Sequence, residues 1–142
     1  MNRGEPAALD ALSHYLASQG CQTSVAYFAN SGFEMGRSLQ GDYLNLVFKV
    51  DHHQLLICDL QARQGPQGVH SAVSEFVALI HQIEQQVPEI QEVRGLLRTT
   101  GTAREQRLRS KLAEVLEQQG ATRSDIEGDH WLIYPCQRQA TH

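Results

Sequence analysis

Two glycines stand in the run Arg63-Gln64-Gly65-Pro66-Gln67-Gly68, just ahead of a long helical pattern that begins at Val69. Glycine lets a backbone approach a phosphate closely, and the open N–H groups of a helix N-terminus favour negative charge there. Arg63, Gly65, Gly68 and Val69 are therefore the candidate residues of an anion cradle. Pro66 supplies no N–H, so one expected donor is missing. The plainer reading of the same residues is a tight strand-to-helix turn built on Gly65-Pro66.

A second group is basic. Arg94, Arg98, Arg104, Arg107, Arg109 and Lys111 hold six of the twelve Lys and Arg residues, against only Glu92 and Glu105 of opposite sign in the same stretch. At helical spacing Arg104, Arg107 and Lys111 share one flank, where they could meet an acidic partner, a phosphate or nucleic acid. The competing reading is a solvated helix face, with Glu105 pairing Arg109 and Lys111 pairing Glu114.

The seven histidines include no His-x-x-x-His pair, so no metal site is expected. His52 and His53 read as an exposed hairpin turn and His70 as the first turn of a helix. Cys21, Cys58 and Cys136 are odd in number, with no Cys-x-x-Cys, which indicates neither disulfide framework nor zinc ribbon. Cys58 lies in an apolar strand and is expected to be an inert core thiol. Trp131, Leu132 and Tyr134 read as packing residues.

The elements that must position these groups follow from periodicity. Pro6 suits a first helical turn, and Leu9, Leu12 and Leu16 recur at helical spacing until Gly20. Val25, Tyr27 and Phe28, then Phe33, Met35 and Leu39, give two short strands around Asn30-Ser31-Gly32. Leu44, Leu46, Phe48 and Val50 alternate with polar residues, and Leu55 to Leu60 follows as the second arm of a hairpin. Val69, Val73, Phe76, Val77, Ile80 and Ile83 mark a helix that Pro88 closes. Ile90 to Arg98 has the length and flanks of a buried strand. Thr102 and Glu105 form a capping box for a third helix with Leu108, Leu112, Val115 and Leu116 inward, ended by Gly120. Trp131 to Tyr134 is the last strand.

The 142 residues suffice for one core, so residues 1–136 are expected to be a single α/β domain and 137–142 a flexible polar tail. The expected fold class is α+β, with a central, mostly antiparallel sheet flanked by three helices. A hydrophobic fraction of 41% excludes disorder, and the longest apolar runs are too short to span a bilayer. The N-terminus has no apolar h-region, which points to the cytoplasm. A net charge of -4 argues against nucleic acid as a partner.

The order of elements together with the Arg63 to Gly68 loop resembles the Gcn5-related N-acetyltransferases, whose pyrophosphate loop follows the pattern Arg/Gln-x-x-Gly-x-Gly/Ala. Arg63 and Gly68 match its ends, and Pro66 stands where its first glycine belongs. The resemblance implies an acyl-CoA N-acyltransferase-like topology, acetyl-CoA as cofactor held around Arg63, Gly65, Gly68 and Val69, and a tyrosine general acid near the start of the third helix. Thr99 to Arg109 contains no tyrosine, which leaves no catalytic residue to assign. Taken as a whole, the chain is similar to the LcrR family of type III secretion regulators. That similarity is carried by Ile57-Cys58-Asp59-Leu60-Gln61-Ala62-Arg63, by Val87-Pro88 leading to Val93-Arg94-Gly95-Leu96, and by Gly120-Ala121 followed by Trp131-Leu132-Ile133-Tyr134-Pro135. It implies a non-enzymatic, chaperone-like or regulatory role in virulence, exercised through contacts with another protein of the secretion system. No cofactor belongs to that reading.

Overall fold

A computed structural model of the chain describes residues 4–21, 23–27, 34–63, 68–97 and 101–136. Its elements run α1 (Gly4–Ser18), β1 (Thr23–Tyr27), β2 (Glu34–Gln40), β3 (Leu44–Asp51), β4 (Gln54–Ala62), α2 (Gly68–Gln86), β5 (Glu92–Leu96), α3 (Ala103–Gln118), β6 (Thr122–Ile126) and β7 (Asp129–Pro135). The strands form one seven-stranded sheet in the order β1-β2-β3-β4-β5-β7-β6. Every neighbouring pair is antiparallel except β4 and β5, which α2 joins as a crossover. This is the α+β class with three helices and a central, mostly antiparallel sheet that the sequence implies.

Period-two alternation decides which face of the sheet is covered. Leu44, Leu46, Phe48 and Val50 of β3 are buried, together with Leu39 of β2, Leu55 of β4, Val93 of β5 and Leu132 and Tyr134 of β7. Val47, Leu56, Trp131 and Ile133 turn to the opposite face and are only half-buried. All three helices lie on the first face, with α2 in the middle. Its Phe76 and Ile80 pack both towards Leu12 and Leu16 of α1 and towards Leu112 and Leu116 of α3. Tyr15 Oη donates to Gln82 Oε1 at 3.2 Å across the α1–α2 seam.

The ends of α3 follow the sequence signals: Thr102 Oγ1 accepts the Glu105 N–H and Glu105 Oε1 accepts the Thr102 N–H, each at 3.1 Å. His52 and His53 occupy the β3–β4 turn, both exposed, and His70 is exposed in the first turn of α2. Strand β6 is a correction. Residues 122–126 have Ile126 as their sole large apolar side chain and form an exposed edge paired only to β7, so no alternation marks them. Phe28, the Asn30-Ser31-Gly32 turn, Phe33 and the 137–142 tail lie outside the described residues.

The β2–β3 turn is tied to α2 by one carboxylate. Glu75 Oε2 accepts the Asp42 N–H and Oε1 the Tyr43 N–H, both at 2.8 Å. The approach is so close that a Cβ on Gly41 would lie 2.6 Å from Glu75 Oε2. Glu75→Ala is expected to cost about 1–2 kcal/mol, read as a lower urea midpoint at unchanged slope. Gly41→Ala should destabilise in the same direction. An unchanged midpoint for both would show that the turn holds without this carboxylate.

Candidate functional site

The site begins with a register slip. Val47 pairs with Asp59 and Phe48 with Ile57, so Cys58 is an extra residue in β4, a β-bulge. A bulge bends its strand and interrupts pairing. On the other side, the parallel ladder of β4 with β5 ends at the same point, its last partners being Ile57 and Gly95. β4 nevertheless continues to Ala62. Beyond Ile57 it therefore runs without β5 beside it, and a cleft opens between two strands that were neighbours.

A cavity of about 160 Å³ occupies this cleft. Ile57, Cys58, Asp59 and Leu60 of β4 line it, with Gly95 and Leu96 of β5 and Leu97 just beyond. These are consecutive residues, whereas a strand whose face lined a cavity would contribute alternate ones. The cavity thus abuts strand edges, where backbone N–H and C=O groups lack a neighbouring strand. Leu112 and Leu116 of α3, Phe76 and Ile80 of α2, and Leu132 of β7 complete an apolar floor.

Polar groups line the cavity too. The Asp59 carboxylate accepts the Leu60 N–H at 2.9 Å, so the chain itself satisfies a donor in the stretch that β5 has left. Glu105 also lines the cavity. Its carboxyl is held below the usual range, first by the Thr102 N–H, then by the Thr102 hydroxyl and by the charge of Arg109. Arg109 is on the cavity wall as well. Tyr134 lines it from β7 and donates its hydroxyl to Glu84 Oε2 at 2.9 Å, a buried bond. Burial pushes the Tyr134 phenol above its ordinary range, and the bond to Glu84 and that carboxylate's charge push it further.

The sequence candidates are distributed as follows. Cys58 is not a core thiol: the bulge that makes it supernumerary brings it to the cleft, half-buried. Arg63 follows the end of β4, and its Nη1 donates to the Gly41 carbonyl at 2.8 Å. Gly68 opens α2 with a left-handed φ of 66° and Val69 follows it in the helix. Gly65, Pro66 and Gln67 lie outside the described residues, as does Arg98. Of the basic flank, Arg107 and Lys111 are exposed, and Lys111 pairs with Glu114 at 3.8 Å. Arg104 is half-buried, and its Nη2 donates to the Arg63 carbonyl at 2.9 Å. That bond straps the first turn of α3 to the end of β4. Arg94 pairs with Glu92 within β5. Among the described residues no group of three or more His, Cys, Asp or Glu side chains converges to hold a metal.

Asp59, Gly95 and Glu105 were invisible as site residues, although a glycine in mid-strand is a signal of close approach or open space. Among the described residues no helix is long and apolar enough to cross a membrane. No family model matches the chain, and no curated protein matches it in sequence. Among solved structures, the ribosomal-protein-S18-alanine N-acetyltransferase from Escherichia coli is similar, with a TM-score of 0.47, 8% identity, and coverage of 84% of this chain and 97% of that one. A likeness of that degree says nothing of this chain's chemistry. Nothing in these comparisons supports the LcrR resemblance.

Tyr134→Phe removes a donor from buried Glu84 and is expected to cost about 1–3 kcal/mol. Because the folded phenol titrates above its unfolded value of about 10, its contribution is complete below that pH and declines as pH rises through it. In an ultraviolet tyrosinate titration of the folded protein, the variant should lose no amplitude near pH 10. Loss of one tyrosine's amplitude there would show the hydroxyl to be free of Glu84.

Proposed function

We propose that this chain binds an acyl thioester of the coenzyme A type, with the acyl group in the cavity and the thioester arm along the open edge of β4. The observation that carries the reading is the coincidence of the Cys58 bulge, the end of the β4–β5 ladder at Ile57 and Gly95, and the cavity at that point. An amide-bearing arm pairs with an exposed strand edge as an added strand would, and an apolar acyl group replaces water in the floor.

The remainder of the cofactor fits in part. The N–H groups of Gly68 and Val69 at the start of α2 suit a pyrophosphate, and the left-handed backbone at Gly68 keeps that position free of a side chain. Arg63 has one guanidinium nitrogen committed to the β2–β3 turn. Transfer of the acyl group would need an incoming amine to attack the thioester carbon, the C–S bond to break, and a base to take the amine proton. Glu105, held ionised by its cap, is too weak a base to do so efficiently near neutral pH. Binding is therefore the function proposed, and N-acyl transfer is the activity to be measured beside it. The protein-contact role in a secretion apparatus, in the cytoplasm and through a protein partner, is the reading that remains if no thioester binds.

Calorimetric titration with acyl-CoA thioesters, with coenzyme A alone as control, is expected to give saturable binding in which the acyl group adds affinity. Bound thioester should slow alkylation of Cys58 and leave Cys21, three residues beyond α1, unchanged by peptide mapping. Equal affinity for coenzyme A with and without an acyl group, and no protection of Cys58, would remove the cleft from consideration.

A further inference from the structure

The size of the cavity selects among acyl groups. An apolar cavity of about 150 Å³ takes a guest of benzene size, six carbons. The cleft here, open to solvent on one side, offers about 160 Å³ over Leu96, Leu97, Leu112, Leu116 and Leu132. An acetyl group has two carbons and would leave most of that floor without a partner. One lining residue contributes no side chain to that space. Gly95 stands at the last rung of the β4–β5 ladder, and a Cβ built there meets nothing closer than Ile57 Cβ at 4.0 Å. Any larger residue at 95 would extend into the cavity it lines.

Resting on the acyl-thioester reading, we infer that the ligand is a medium-chain acyl thioester of about six carbons rather than an acetyl one, with Gly95 as the residue that sets the length. The chain enters tail first, because Phe76, Leu112, Leu116 and Leu132 are buried and the Tyr134 hydroxyl is already bonded to Glu84, while the charged Asp59, Glu105 and Arg109 are only half-buried. The thioester and its polar arm stay with those groups and with the strand edge. Specificity of this kind comes from filling volume, each methylene in the floor adding a constant increment until the space is used.

The test is a calorimetric series of acetyl, butyryl, hexanoyl, octanoyl and dodecanoyl thioesters of coenzyme A, repeated with N-acetylcysteamine thioesters, which lack the pyrophosphate. Free hexanoate is the arm that separates a thioester ligand from a fatty acid. Affinity should rise roughly fourfold per added methylene up to about six carbons and then stop rising. Gly95→Val should flatten the series while leaving the unfolding midpoint unchanged or higher, since its side chain enters open space. Acetyl binding as tightly as hexanoyl in the unaltered protein would overturn the inference and leave the thioester reading in place. Continued tightening to dodecanoyl would also overturn it. Hexanoate binding as tightly as its thioesters would replace the thioester with a carboxylic acid, and failure of every thioester would dismiss the reading beneath it.

Discussion

One supernumerary residue in β4 organises the molecule. A parallel neighbour can pair only while the strand keeps a straight edge, and the bulge at Cys58 bends that edge immediately after Ile57. Pairing with β3 continues on both sides of the slip, from Leu44 with Ala62 to Asp51 with Gln54, in a register shifted by one residue. The strand is thus anchored along one edge and released along the other. The cleft arises from a local change in chain count rather than from a missing element, and it leaves β4 backbone groups without a β5 partner inside an otherwise continuous sheet.

Holding such a cleft open requires the surrounding elements to be fixed independently of it. α2 does most of this, because it packs against β3, β4 and α3 and reaches the β2–β3 turn through Glu75. α3 is then placed over the cleft by its apolar stripe, and its first turn is strapped by Arg104 to the carbonyl of Arg63. Arg63 in turn holds Gly41. A chain of short polar contacts therefore runs from α3 through the end of β4 to the β2–β3 turn and α2. It encircles the β4 side of the opening, so the residues that a phosphate reading assigned to a ligand also hold the frame.

Much of the fold was legible because its signals are local. The alternation in β3, the stripe of α2 and the Thr102–Glu105 box each follow from a few adjacent residues, and each element appears where its pattern starts. β6 was silent because both its faces are largely exposed and its pairing with β7 is decided by the turn at Glu127 and Gly128, both left-handed. The site was harder to see for a different reason. A bulge is a relation between two strands, and nothing in Ile57-Cys58-Asp59 by itself says that the register will shift by one residue there. Cys58 looked like a core residue because its neighbours are apolar, and the slip in register changed where it points.

The electrostatics of the cavity wall bear on what the cleft can do. Two groups whose titration is moved line the same cavity, and they are moved in opposite directions: Glu105 is held ionised by its cap and Tyr134 is held protonated by burial and by Glu84. A group that shuttles a proton at neutral pH needs its range brought towards neutrality, and here both are driven away from it. Each is also committed to a structural partner, Thr102 in one case and Glu84 in the other. The cavity wall therefore carries a carboxylate held ionised by its cap and a buried hydroxyl committed to Glu84. Among the described residues that line the cavity, neither of these two groups is placed to carry a proton at neutral pH.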